Sequence, residues 1–559
     1  MKLHKIRKGL GLVLAASLTA GLLSACGGGT STGTADATGA ATAETAAQEA
    51  ATQAPPEADT SRKTASGSGE RYDKITVALS SDPSDLGPTG YGDTAALYTM
   101  HNYYETLFDF RDGEYVPILA KSYTEVDATH WEVELWDNIK DSEGNPITAD
   151  DVVFSYNLLI DSGKAAKFNS FVSIEAKDDY TLTFTWSKEI DSVGELEWPL
   201  CRVNIVSQKA YEDGGNTMAS QPVGTGPYVV TEYTPGAKIV MEANDNYWQS
   251  DENRDPDHQA NVQTVEYDII SEGSQHVIAL GTDTVQYSEY VPNESLADFQ
   301  EGGQYADGHA VFSTQGSGLQ CLFPDCSEGF LADENFRKAV FYALNNEAIA
   351  QATGTLEPAK AFGTPFFADY DTAWESQEGN YMAVYDVEKA KEYLAQTDYN
   401  GESLVLLCPS SDLSKTMAQM VQTLLLQIGI NVEINAEEGN LVDTDMRDPA
   451  NFDLLIKDLG GGSQIGEFNR AMNYEEFGTG LNLAGLHDEE FQTFFLNCST
   501  VDGHTTENMA QLHQMLLDNG YYYAIGSPRM TGVYSDAFAT LVYREHEFLR
   551  PGACDYYLD

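Results

Sequence analysis

The stretch Gly144-Asn145-Pro146-Ile147-Thr148-Ala149-Asp150-Asp151-Val152-Val153-Phe154-Ser155 opens a helix. Thr148 stands where an N-cap hydroxyl belongs, and Asp151 sits three residues on, where its carboxylate can reach back to the cap. The flanking segments have another period. Trp131-Glu132-Val133-Glu134-Leu135-Trp136 alternates strictly between apolar and polar residues, and the run from Tyr180 to Trp186 alternates again. Period-two alternation belongs to half-buried strands. From this point outward the chain mixes strands and helices.

Toward the N-terminus, Ile75-Thr76-Val77-Ala78-Leu79 is a β run that ends in a loop rich in Ser, Asp, Pro and Gly, from Ser80 to Gly92. Toward the C-terminus, Gly224 and Gly226 flank Thr225, and Pro227 follows, setting a tight turn ahead of a strand at Tyr228-Val229-Val230. This lone GxG lacks the third glycine and the following helix of a dinucleotide fingerprint. Phe336, Ala339, Val340, Ala343 and Leu344 then recur at helical spacing. So do Met417, Met420, Val421, Leu424, Leu425 and Ile428, with Gly429 as the stop. Strands are expected at Asn431 to Asn435 and at Phe452-Asp453-Leu454-Leu455-Ile456. This helix–strand alternation indicates an α/β lobe. The Met and Leu stripe reads as core rather than as a cofactor site, and no internal repeat is found.

The 87 acidic residues against 31 Lys and Arg give a net charge of −56. That sign excludes a nucleic-acid binder, whose partner demands a basic surface. It suits a soluble surface, and it leaves an acidic groove for cationic ligands open. The body from Arg71 to Asp559 is too long for one ordinary core, so two or more lobes are expected.

The chain begins with Lys2, Lys5, Arg7 and Lys8, turns apolar from about Leu10 to Leu23, and reaches Leu22-Leu23-Ser24-Ala25-Cys26. A basic start, a short apolar run and small residues at the cut form a secretory signal. The run is shorter than the roughly 20 residues of a membrane-spanning helix. Its ending resembles a bacterial lipobox, which implies cleavage before Cys26 and lipidation of Cys26 as the mature N-terminus. Residues Gly27 to Glu70 contain no Ile, Leu, Val, Met, Phe, Tyr or Trp and read as a disordered linker. An exported chain is permitted disulfides. Of the cysteines Cys201, Cys321, Cys326, Cys408, Cys498 and Cys554, the pair Cys321 and Cys326 is spaced to close a small loop, while buried free thiols are the alternative.

Several phrases, in order, resemble the extracellular solute-binding proteins of family 5, the peptide, nickel and oligosaccharide binders of ABC importers. They are the opening stretch, then Pro222-Val223-Gly224-Thr225-Gly226-Pro227-Tyr228, Asn244-Asp245-Asn246-Tyr247-Trp248, and Phe336-Arg337-Lys338-Ala339-Val340-Phe341-Tyr342-Ala343-Leu344-Asn345. Gln427-Ile428-Gly429-Ile430-Asn431-Val432 and Phe452-Asp453 complete the series. The resemblance spans nearly the whole body. It implies an α/β, type II periplasmic-binding-protein-like fold. Two lobes with mixed sheets are joined by two crossover strands, and one lobe carries an inserted subdomain. The implied division is 1–25 signal peptide, 26–70 lipidated cysteine and linker, 71–105, 200–290 and 526–559 first lobe, 106–199 insertion, and 291–525 second lobe.

Ligand contacts are then expected from Tyr91, Asp93 and Thr94, from Asp458-Leu459-Gly460-Gly461-Gly462-Ser463-Gln464, and from Ser527 and Arg529. Peptide-binding members carry a Trp in the second of these loops and, three residues later, an Asp that pairs with the peptide's ammonium. Here Leu459 stands at the Trp position and Gly462 at the Asp position, so that anchor is missing unless Asp458 or Glu467 replaces it. The implied function is capture of a small solute, peptide before oligosaccharide before a metal chelate, and its delivery to an ABC permease. The protein is expected as a membrane-tethered monomer on the outer face of the cell membrane, with no cofactor and no nucleic-acid partner. The ten histidines show no HxH or HxxxH spacing, so a direct metal cage is not expected. A secreted hydrolase is the alternative from another class, but HExxH is absent, and the one GxSxG, Gly29 to Gly33, stands in the linker without the strand and helix a nucleophile elbow needs. A sensory lipoprotein that keeps the fold without transport is a third reading.

Overall fold

The helix expected at Thr148 runs Ala149–Asp161, and both halves of its start are in place. The Thr148 backbone N–H and hydroxyl each donate to Asp151 Oδ2 at 2.9 Å. The other oxygen, Oδ1, accepts from the Gln208 N–H at 2.8 Å, so the cap also ties the helix to a distant segment. Ser155, one turn on, accepts from the Val206 N–H at 3.0 Å. A computed structural model describes residues 58–559, except positions 84, 91–93, 112–113, 166–167, 169, 191–195, 251–253, 317, 366, 368, 461–464, 466–470, 474–481 and 545–547. Cys26 lies outside the described residues. Among the described residues no helix is long and apolar enough to cross a membrane.

The opening helix packs on a four-stranded antiparallel sheet in the order Ala120–Asp127, His130–Leu135, Thr181–Trp186, Phe171–Asp178. Their inward side chains, among them Trp131, Val133, Leu135, Leu182 and Phe184, join Val152, Tyr156 and Leu159 in one apolar cluster between Leu107 and Ile205. Leu200, Cys201, Val203 and Ile205 belong to the same cluster.

A second cluster, the first-lobe core, gathers Ile75, Val77 and Leu79 with Ile239, Met241, Val265, Tyr267, Tyr287, Phe538 and Tyr556. A third, the second-lobe core, runs from Leu319 to Ile525 and is dominated by Leu, Ile, Val, Met and Phe. It includes Met417, Val421, Leu424 and Leu425, from the helix Asp412–Leu426. Gly429 then takes φ +88°, as a helix stop requires.

One sheet threads both lobes. Its order is Asn431–Glu437, Ser403–Pro409, Leu454–Leu459, Leu319–Pro324, Tyr523–Ser535, Tyr287–Ser288, Tyr72–Leu79, Val262–Ile269, Lys238–Ala243, Tyr228–Thr234. The thirteen-residue strand Tyr523–Ser535 is the member common to the two lobes. In its first half it pairs with Leu319–Pro324 and Leu356–Pro358, and in its second with Tyr287–Ser288 and His309–Gln315. It and His309–Gln315, antiparallel to it, are the crossovers. The Gly224 and Gly226 pair is fixed by close approach rather than by a special φ. A Cβ on Gly226 would lie 2.6 Å from the Asn102 carbonyl oxygen, and one on Gly224 would overlap the Tyr103 carbonyl.

Two expectations change. The linker does not run free to Glu70. Ala65 is buried, its N–H donates to the Tyr556 carbonyl at 2.9 Å, and Arg62 lies 3.6 Å over the Tyr557 ring while pairing with Asp559. Backbone and polar contacts with the chain's own C-terminus order this segment, which the lack of large apolar side chains did not foretell. Cys321 and Cys326 form no disulfide. Cys321 is buried mid-strand between Lys457 and Ala524 as ladder partners, whereas Cys326 lies beyond the strand's end at Pro324.

Candidate functional site

Strand Tyr72–Leu79 has parallel neighbours on both sides, Val262–Ile269 and Tyr287–Ser288. The chain leaves Ile269, passes through helix Gly273–Gly281 and returns on the other side of Tyr72–Leu79. In α/β sheets, the crevice outside the strands' carboxyl ends at such a reversal is where ligands bind. Three segments emerge there: the loop after Leu79, the turn after Ile269, and Glu289-Tyr290 after Ser288.

The loop after Leu79 is pinned to its surroundings. Asp82 accepts from the Tyr233 hydroxyl at 3.1 Å and the Gly236 N–H at 2.6 Å, and Asp85 accepts from the Gly87 N–H at 2.7 Å. The Asn204 amide donates to the Pro88 carbonyl at 3.0 Å, and Lys164 Nζ to the Thr89 carbonyl at 2.6 Å. Tyr91 and Asp93 lie outside the described residues, and Thr94 begins the helix Thr94–Met100.

That helix carries Tyr98 to Glu289. The Tyr98 hydroxyl donates to Glu289 Oε2 and the Tyr287 hydroxyl to Oε1, each at 2.5 Å. The Tyr543 hydroxyl lies 2.9 Å from that of Tyr287, and the Tyr290 ring centre lies 6.4 Å from that of Tyr98. Burial pushes the Glu289 carboxyl up to about 7, against the opposing pull of the Tyr287 and Tyr98 hydrogen bonds. Burial, with the Glu289 charge beside them, also holds the Tyr98 and Tyr287 phenols far above their ordinary range.

On the second lobe, Asp458 and Leu459 point to opposite faces of their strand. Leu459 is 3% exposed and packs in the core, so it is no ligand contact; strand alternation turns it inward. Asp458 turns outward, with Lys457 Nζ at 3.2 Å. At Gly460 an added Cβ would meet no atom of the described residues within 4 Å. Gly461, Gly462, Ser463, Gln464 and Glu467 lie outside the described residues. Strand Leu319–Pro324 joins this wall to the crossover, since Gln320 is paired with both Asp458 and Gly526. Ser527 is buried there. Arg529 donates from Nη2 and Nε to Glu357 Oε2 at 2.7 and 3.1 Å, an acid of the adjoining strand Leu356–Pro358.

The structure thus brings Asp458, Gly460, Ser527 and Arg529 to one region. Glu289, Tyr98 and Tyr290 were missed. The phrase Gln286-Tyr287-Ser288-Glu289-Tyr290 holds an acid among tyrosines at a strand end, but its meaning depends on the strand order. An open groove of about 410 Å³ at the turn after Ile269, lined by Ile270, Ser271, Glu272, Gln275 and Thr282, holds none of the expected residues.

The model of the bacterial extracellular solute-binding proteins, family 5 Middle, matches residues 114–477. The nickel-binding periplasmic protein of Escherichia coli (strain K12) is 23% identical over 402 residues, covering 67% of this chain and 73% of that protein. The oligopeptide-binding protein AppA of Bacillus subtilis (strain 168) is 22% identical over 430 residues, covering 71% and 76%. The structure of Bacillus subtilis AppA in complex with a nonapeptide superposes with a TM-score of 0.66 at 19% identity, covering 88% of this chain and 99% of that one.

Proposed function

Since the chain belongs to the bacterial extracellular solute-binding proteins of family 5, a family of non-enzymatic solute-binding proteins of ABC importers, we propose that its solute is a peptide held between the two lobes. The observation that carries this reading is the Gly460 backbone at the end of strand Leu454–Leu459, which no side chain of the described residues covers within 4 Å of an added Cβ and which Gln320 links to the crossover at Gly526. An extended peptide needs such bare backbone to exchange hydrogen bonds with, and side-chain pockets then supply selectivity. The likeness to an oligopeptide-binding protein supports the same reading.

In this proposal the lobes, 71–105 with 200–290 and 526–559 against 291–525, close as a hinge about His309–Gln315 and Tyr523–Ser535. The insertion, 106–199, rides with the first lobe. Export follows from the N-terminal signal. Lipidated Cys26 and the polar segment after it keep the body near a permease at the same membrane, and two acyl chains suffice for stable anchoring.

A thermal-unfolding screen tests the solute class, using tetrapeptide pools, maltooligosaccharides and nickel–histidine. A ligand at 100 times its Kd stabilises the fold by about 2.7 kcal/mol. A shift with peptides is expected. A shift with sugars or nickel–histidine, and none with peptides, would overturn the peptide reading.

A further inference from the structure

The first lobe presents a carboxylate set to receive a positive charge. We propose that Glu289 anchors the solute's cationic group, an amino terminus or a lysine or arginine side chain, in a tyrosine-lined seat; this rests on the peptide reading above. Four observations carry it. Glu289 directly follows the strand Tyr287–Ser288, at the carboxyl end of a parallel pair flanking the sheet's reversal. Its two oxygens are aimed by one phenol each, Tyr287 and Tyr98, at 2.5 Å. A carboxylate accepts about four hydrogen bonds, so room remains for an ammonium.

The third observation is the missing counter-charge. Among the described residues no cation pairs with Glu289, whereas the buried Asp109 holds both Arg111 at 2.8 Å and Arg550 at 3.0 Å. The buried Glu105, held by the Tyr247 hydroxyl and the Trp248 N–H, has a histidine in place of a guanidinium, with His258 Nε2 at 4.0 Å. A half-buried carboxylate without either carries a desolvation cost that a ligand's charge would offset. The fourth is the aromatic setting. Tyr290 and Tyr98 place rings beside the carboxylate, and ring faces favour cations. On the second lobe, Asp458 is exposed and already has Lys457 at 3.2 Å.

The test uses a random tetrapeptide library at pH 8, offered with free and with acetylated amino termini to the wild-type chain and to Glu289→Gln. Retained species are read by mass spectrometry. The wild type is expected to retain free-amine or Lys- and Arg-containing peptides and to discriminate at least tenfold against acetylated peptides lacking Lys and Arg. Glu289→Gln is expected to lose that discrimination while keeping the wild-type unfolding temperature at pH 5. If Glu289→Gln does not fold, Glu289→Asp replaces it, with weaker retention but the same preference. Peptide retention by the wild type that ignores amine charge, or that Glu289→Gln reproduces, overturns the anchor and leaves the peptide reading standing. Retention of no peptide by the wild type overturns both.

Discussion

The two walls of the candidate site are built on opposite principles. The second-lobe wall is a strand end: Leu459 is sunk in an aliphatic core, Asp458 is exposed beside Lys457, and Gly460 has no atom of the described residues within 4 Å of an added Cβ. It offers bare backbone. The first-lobe wall is a fixed constellation of Tyr98, Tyr287 and Glu289, held by short hydrogen bonds on a tyrosine-rich core. It offers charge in one place. On the proposed reading, the acidic anchor missing from the second-lobe loop is replaced by the carboxylate of Glu289 on the first lobe.

Substitutions can break this comparison, starting with the largest effect. Leu459→Ala should cost about 2–5 kcal/mol in urea unfolding, because it empties a core position. A loss of affinity without loss of stability would instead make Leu459 a contact.

The next effect is pH-dependent. The Glu289 carboxyl is raised from its ordinary 4.5 to about 7, so the folded state binds a proton that the unfolded state has released. The contribution of this group is therefore full below pH 4.5 and is lost as pH rises toward about 7. Tyr98, Tyr287, Tyr290 and Tyr543, which face it, stay un-ionised across that window because burial raises all four. Thermal unfolding of the unliganded wild type should fall more steeply between pH 5 and 7 than that of Glu289→Gln. Parallel curves would remove Glu289's special status.

Smaller effects sharpen the second wall. Gly460→Ala should leave stability within about 0.5 kcal/mol of wild type, since its Cβ meets no atom of the described residues, but should lower peptide affinity severalfold in calorimetric titration. Asp458→Asn should change neither stability nor affinity by more than about 0.5 kcal/mol, as expected of an exposed ion pair. A tenfold affinity loss there would return the anchor to the second lobe.

Local features were legible in the sequence. Thr148 and Asp151 form the expected cap because both partners lie within one turn, and the stripe at Met417 to Leu425 is core because helical period alone sets its face. The family resemblance supplied the two lobes. Features that depend on distant partners were not legible. Arg529 meets Glu357 only once two strands pair. Sequence alone places Leu459 in a loop because the apolar run ends at Ile456, yet the strand continues three residues further and turns that side chain inward. Glu289 gains its meaning from strand order, which no short motif encodes.

The central claim is that a peptide occupies the space between these walls. Its most direct test is native purification of the full chain after export from a bacterial host, followed by denaturation and mass spectrometry of whatever is released. The account predicts short peptides, at up to one per chain, enriched in free amines or basic side chains. Release of an oligosaccharide or of a nickel chelate, with no peptide, would contradict it.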